Sequence, residues 1–410
     1  MRRTGWVCLA AFFAACGDRR VTGDPGLGTG PSMAPRRLRP SVAPPAGIVA
    51  WPPDAGFVEA AHSLPLVTDL GGPVLDRPVA VTITFANDPD RALDEALAGF
   101  LSTSTWLATV GPEYGVLGLD HLEVELPQDA PSRLSDLSAQ RLLQSLLASG
   151  ELPGGAPDGG VAPEYVYLLY VPKRTAFDVS GQPLCDVSSG GYHFELIGAG
   201  LDVPYAVLKA CASPGATDGE LLARAASHEL IGAATDPYPF SNPAWRIFDL
   251  QNPYAYFGGE VGDLCENLSP QWQEGAFQKL QRVWSNAAAK AGGDPCRPAV
   301  GSYFGAGVSP ATAVQAPAGS TIHFQLTGWS TAPVPDWKLS AHSFPLAGSF
   351  DGAPTLSRDT LADGDSADLT VTVPRGTPSG AMALIGVDST QATGAPQPAV
   401  TTALALVIVP

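Results

Sequence analysis

Residues 217–237 read TDGELLARAASHELIGAATDP, and within them His228 and Glu229 set an imidazole beside a carboxylate on a predicted helix. Thr217 and Glu220 have the spacing of a capping box, good helix formers follow, and Pro237 ends the run. On such a helix a first ligand and a second one turn later share a face, while the carboxylate after the first ligand projects beside the metal and takes a proton from bound water. His228 is therefore the expected ligand and Glu229 the expected general base. Four residues after His228 stands Gly232, which has no side chain, so the second helical ligand is missing. Asp236 returns near the face of His228 two turns later, and Glu260 and Asp263 follow a Gly-Gly turn. His228, Asp236, Glu260 and Asp263 form the expected metal set, with zinc as the expected ion. His193, in Gly-Gly-Tyr-His between two cysteines, is the candidate substrate-binding residue or a replacement for the lost ligand; the competing reading is a half-buried histidine held by a backbone partner. His62, His121 and His342 lack acidic or imidazole neighbours at ligand spacing and are set aside. The chain has no Gly-x-Ser-x-Gly elbow, no P-loop and no dinucleotide fingerprint.

The elements that must position these residues are readable from periodicity. Val79-Ala-Val-Thr-Ile-Thr-Phe85 alternates β-branched residues as a buried strand does, and a second strand is expected near His121 to Leu126. Leu93, Leu97 and Leu101 mark a helix over 91–103, and leucines from Leu134 to Leu147 mark another. Tyr165 to Val171 is apolar on both faces and suits a central strand, and Tyr205 to Leu208 is a shorter candidate for an edge. Strands alternating with helices indicate an α/β or α+β layer. After Cys296 the texture changes. Thr321 to Thr327, Asp368 to Val373, Ala381 to Val387 and Thr402 to Val409 have period two with Gly, Pro and Asp turns between them, which predicts a β-sandwich of immunoglobulin or fibronectin type. His323 falls on its solvent phase, and Trp329 and Trp337 are expected to plug the sandwich or its ends.

A strand, an edge strand and then a helix bearing His-Glu is the order of a zincin-like α+β domain with a mixed sheet. The segments Gly191-Tyr-His193, Tyr205-Ala-Val207, Ser227-His-Glu-Leu230, Ala234-Thr-Asp-Pro237 and Gly259-Glu-Val-Gly-Asp-Leu-Cys265, in this order, resemble the plant EXORDIUM or phosphate-induced family and bacterial exported relatives built around His-Glu-x-x-Glu, Thr-Asp/Asn-Pro and Glu-Ile-x-Asp-x-Cys. The resemblance covers roughly residues 75–298. It implies an exported chain with a metallopeptidase-like fold, and it carries over to His228, Glu229, Asp236, Glu260 and Asp263. Gly232 departs from it, standing where the second Glu of the motif belongs, and that departure bears on catalysis more than on fold.

The rest of the chain sets the compartment. Residues 1–20, MRRTGWVCLAAFFAACGDRR, have a basic start, a short apolar run and a small-residue end, as a secretory signal does. Phe13-Ala14-Ala15-Cys16 resembles the lipobox of bacterial lipoproteins, which implies lipidation at Cys16. The predicted organisation is a signal peptide over 1–16, a Pro- and Gly-rich tether over 17–55, a zincin-like domain over 56–298 and the sandwich over 299–410. A net charge of −17 repels phosphate backbones and argues against nucleic acid as a partner. Once the signal and the lipid site are set aside, Cys185, Cys211, Cys265 and Cys296 remain, an even number that in an exported chain implies disulfides. Three pairings are possible, and closure of local loops favours Cys185–Cys211 and Cys265–Cys296. A four-cysteine metal site would need Cys-x-x-Cys spacing, which is absent.

Two functions follow as expectations. One is a zinc-dependent hydrolase of peptides or envelope polymers, held at the cell envelope by its lipid or secreted. The other is a non-catalytic envelope-binding protein in which the helix is a structural remnant of a metal site. Gly232 separates them and favours the second.

Overall fold

The computed structural model describes residues 64–154, 164–188, 190–198, 201–213, 215–266, 268–344, 348–391 and 399–410. The expected signal, Cys16, the tether, the first residues of the 56–298 unit and His62 lie outside them. Among the described residues no helix is long and apolar enough to cross a membrane.

A five-stranded sheet organises the first half. Its strand order is Asp120–Leu126, Val79–Phe85, Tyr165–Tyr170, Leu201–Leu208 and Gly191–Gly198. The first four run parallel and the last is antiparallel to its neighbour. Tyr165–Tyr170 is central, as its double-sided apolar character predicts: Val166, Leu168 and Tyr170 enter one core, while Tyr167 and Leu169 enter the other. Helices Arg91–Thr103 and Asp218–Thr235 cover the first face, and helix Asp136–Ser149 covers the second. Parallel strands must be covered on both faces in this way because each buries its residues up and down alike.

Two expectations are corrected here. The segment Tyr205–Leu208 is the end of a longer strand that begins at Leu201 and lies inside the sheet, while the edge is Gly191–Gly198. Helix formation after Leu134 begins only at Asp136, because Arg133–Ser135 pairs with Ala176–Asp178 as a short strand and Ser135 then caps the helix.

The edge strand alternates cleanly. Tyr192, Phe194 and Leu196 enter the core beneath helix Asp136–Ser149, so Gly191, His193 and Glu195 face the opposite side, toward helix Asp218–Thr235. Two disulfides, Cys185–Cys211 and Cys265–Cys296, match the expected pairing. The first brackets the hairpin that contains the edge strand. The second ties the segment after Asp263 to the strand that leaves the domain. Their presence indicates an oxidising compartment.

From Phe304 onward the chain is all β. A four-stranded sheet and a five-stranded sheet share one core in which Phe324, Leu326, Leu369 and Val371 meet Trp337, Ile385, Val387 and Val407. Both tryptophans are buried, and His323 is exposed. The two halves touch through Phe257, Phe344, Leu384, Leu404 and Leu406.

Candidate functional site

The helix that carries His228 and Glu229 starts as predicted. Thr217 Oγ1 accepts from the Glu220 amide at 3.2 Å, and Glu220 Oε2 accepts from the Thr217 amide at 2.8 Å. Its alanines, Ala223, Ala225, Ala226, Ala233 and Ala234, are buried and let the helix lie close to the sheet. A helix apolar on nearly every side belongs inside a protein, so the polar pair His228-Glu229 requires partners there.

Those partners come from two other elements. His193 projects from the edge strand, and its Nδ1 lies 3.4 Å from Glu229 Oε2 and 3.6 Å from Glu260 Oε2. His228 Nε2 lies 3.4 Å from Asp263 Oδ1. The side chains of His193, Glu229, Glu260, His228 and Asp263 are only 2–12% exposed. The loop that delivers Glu260 and Asp263 turns through Gly258 and Gly259, at φ +101° and +81°, and a β-carbon on Gly258 would overlap the Asp263 carboxylate. Asp263 Oδ2 in turn accepts from the Glu260 amide at 2.8 Å, so the Asp263 carboxylate is held by the backbone of Glu260.

Of the five residues expected to act at the metal, Glu229 and Glu260 flank His193, and His228 pairs with Asp263. Asp236 does not serve as expected. Its Oδ1 accepts from the Ala244 amide at 2.7 Å and its Oδ2 faces Arg246 Nη1 at 3.2 Å, so the carboxylate is turned away and committed to closing the helix C-terminus. Burial, and then the charge of Glu260, push its carboxyl upward, opposed by Arg246. Only the backbone oxygen of Asp236 reaches the cluster, accepting from His193 Nε2 at 3.3 Å.

Arg246 is the functional neighbour that sequence reasoning missed. It donates to the Pro239 and Gly258 carbonyls and stands 3.8 Å from Glu260 Oε1. No local pattern around Trp245-Arg246 marks it. The available signal was the need for a cation near so many acids in a buried region. Glu195 was also passed over; it accepts from the Phe240 and Ser241 amides at 3.1 and 2.7 Å and pins the segment after Pro237 to the edge strand.

The electrostatics follow from crowding. Burial alone would lower the His193 pKa, but Glu260 and then the bond to Glu229 raise it to about 9. For His228 burial again lowers it, and Glu229 followed by Asp263 raises it to about 10. The contacts themselves are long. Charge-assisted hydrogen bonds run about 2.7–2.9 Å, as Lys173 and Asp218 show at 2.6 and 2.8 Å elsewhere in this chain, whereas the imidazole–carboxylate separations are 3.4–3.6 Å. Donors about 2.0–2.2 Å from a tetrahedral ion stand roughly 3.3–3.6 Å from each other. Each pair thus has ligand-like separation, although as placed no three His, Cys, Asp or Glu side chains among the described residues converge at metal-holding spacing.

The chain matches no protein family model and no curated protein. A solved structure of wild-type OgpA from Akkermansia muciniphila aligns with it at 11% identity over 85% of this chain and 96% of that one, with a TM-score of 0.22. Likeness at that level gives no basis for assigning fold or activity.

Proposed function

We propose that this chain is an exported, lipid-anchored envelope protein whose first half is a zincin-like domain related to the EXORDIUM pattern, carrying an altered divalent-metal site, and whose second half is an immunoglobulin- or fibronectin-like module. The observation on which this reading rests is the pairing of His228 with Asp263 and of His193 with Glu229 and Glu260, from three separate elements, in buried imidazole–carboxylate contacts of 3.4–3.6 Å. The donor chemistry fits. Two imidazoles with carboxylates suit zinc or another first-row transition ion rather than calcium or magnesium, which take oxygen ligands. His228, Glu260 and Asp263 would hold it. A divalent ion there supplies Lewis acidity and a lowered water pKa. With an ion bound, Glu229, beside His228 on the same helix, would take the proton released from its water. Peptides or envelope polymers are the proposed substrates.

Arg246 favours a second reading. A guanidinium is always charged, and standing 3.8 Å from Glu260 it supplies part of the positive charge that an ion would otherwise bring. On that reading the cluster is internal, and the protein binds an envelope component without chemistry. Elemental analysis of the purified chain beside His228→Ala separates the two. One zinc per chain, lost on substitution, supports the metal site; equal metal content in both proteins, or none in the parent, leaves the binding protein.

A further inference from the structure

We infer that the Cys185–Cys211 bridge is a redox latch on the edge strand: an external dithiol opens it while the rest of the chain stays folded, and opening it frees the strand that carries His193 and Glu195. The latch is independent of whether the neighbouring cluster takes an ion. The two bridges of this half differ sharply in exposure. Cys265 and Cys296 are each 1% exposed and belong to the main core, where Cys296 pairs with the buried Trp284. Reaching them requires opening that core. Cys185 is exposed. It lies in a four-residue helix, Leu184–Val187, in which Leu184 is buried, and its partner Cys211 is covered at 7%. The Cys185 end of the bond is therefore the accessible one, and exposed bridges are the labile and regulatory ones.

The exchange is balanced. One thiolate of the dithiol attacks the Cys185 sulfur, forms a mixed disulfide and expels Cys211 as a thiolate, which takes a proton. The second thiolate of the dithiol then attacks its own partner sulfur, closes the oxidised dithiol and expels Cys185, which takes a proton in turn. Two electrons and two protons pass to the protein, and the reverse exchange resets it. The position of the bridge gives this exchange a structural consequence. Cys185 precedes the edge strand and Cys211 follows the strand it pairs with, so the bridge clamps the open end of the hairpin. Without it, that end is held by the pairing of Gly191 with Leu208 and by the Lys209 amide, which donates to the Gly190 carbonyl at 2.7 Å. An edge strand has a neighbour on one side alone, and segments with few backbone bonds open locally at low cost. Fraying from Gly191 reaches His193 first and breaks its contacts with Glu229 and Glu260 at 3.4 and 3.6 Å. Glu195 follows, and with it the hold on the Phe240 and Ser241 amides. Opening the bridge thus exposes a buried imidazole and its carboxylates to solvent.

The test uses the full oxidised chain in mixtures of reduced and oxidised dithiothreitol, without denaturant. Free thiols are alkylated over time and located by peptide mass. Cys185 and Cys211 should be alkylated at least about tenfold faster than Cys265 and Cys296. In the selectively opened chain, amide hydrogen exchange over residues 191–196 should rise about tenfold or more, while the sandwich strand Met382–Gln391 keeps its protection. Re-oxidation should restore both the bridge and the protection. Replacing Cys185 and Cys211 together with serine should reproduce the exchange pattern of the opened chain without any reductant; if that variant does not fold, reversible opening of the parent carries the test alone. Equal alkylation rates at the two bridges, or opening accompanied by loss of protection throughout the chain, would make Cys185–Cys211 a structural staple and overturn the inference. Selective opening with unchanged exchange over 191–196 would overturn it as well, since pairing with Leu201–Leu208 would then suffice to hold the strand. None of these outcomes bears on the metal site, which elemental analysis decides.

Discussion

Adding one methyl group at position 232 sets two effects against each other. In a helix interior alanine is favoured over glycine by about 0.5–1 kcal/mol, so Gly232→Ala would stabilise an ordinary helix. Here the added carbon lies 2.8 Å from a ring carbon that is itself packed between two carboxylates, and overpacking a tight interior costs about 1–3 kcal/mol. The clash is the larger effect. The expected outcome is a net loss of roughly 1–2 kcal/mol in denaturant unfolding, and an unchanged or higher midpoint would show that the ring moves aside freely. At this scale the sequence singled out His228, Glu229, Glu260 and Asp263 in ordered short motifs, and the fold buries each of them in an imidazole–carboxylate contact. Asp236 was misjudged because helical angle places its α-carbon but not its carboxylate, which the following turn captures through Ala244 and Arg246. Gly232 reads as an absence in the sequence and becomes a fitted contact only once the edge strand is beside it.

At the scale of elements, helix Arg91–Thr103 buries Asp94 against the sheet at 1% exposure, and its Oδ1 has no hydrogen-bond partner. Burial, followed by the charges of Asp88, Asp90 and Glu95, raises its pKa to about 9. The phenol of Tyr170 faces it from the central strand, itself pushed upward by burial and by Asp94. The folded pKa lies above the unfolded value near 3.9, so the folded state binds the extra proton. The stability this group contributes is full below about pH 4 and is lost as pH rises toward 9. Asp94→Asn carries no titrating proton. In thermal unfolding its midpoint should gain on the parent steadily from pH 5 to pH 8, and parallel pH profiles would refute the assignment. The leucine periodicity of this helix placed its boundaries correctly but not Asp94, since an acid directly followed by Glu95 reads as part of the solvent-facing side. The edge strand was missed for a related reason: Gly-Gly at its start reads as a turn, although the alternation of Tyr192, Phe194 and Leu196 with Gly191, His193 and Glu195 was present in the sequence.

Across the whole molecule the site depends on parts distant from it. The Cys265–Cys296 bridge spans 31 residues, and chain-entropy arguments give such a loop about 3–4 kcal/mol. Since Cys265 follows Asp263 by two residues, replacing both cysteines with serine should lower stability by roughly that amount and loosen the carboxylate loop, detected as weaker Co²⁺ binding. The sandwich supports the same loop from the other side. Phe257, three residues before Glu260, packs on Phe344 with ring centroids 5.3 Å apart and an edge-to-face tilt of 68°, within a cluster completed by Leu384, Leu404 and Leu406. Backbone pairing continues the contact, for Ser269 and Val400 exchange hydrogen bonds at 3.0 and 3.2 Å. If this contact positions Glu260 and Asp263, then Phe344→Ala, which alters no ionisable group and lies in the other half of the chain, should cost about 3–5 kcal/mol and also weaken metal uptake. A purely local sandwich core would give the stability loss alone. Full Co²⁺ affinity in a destabilised Phe344→Ala chain would show that the two halves are neighbours without mechanical coupling, and the carboxylate loop would then owe its position only to its glycines and its disulfide.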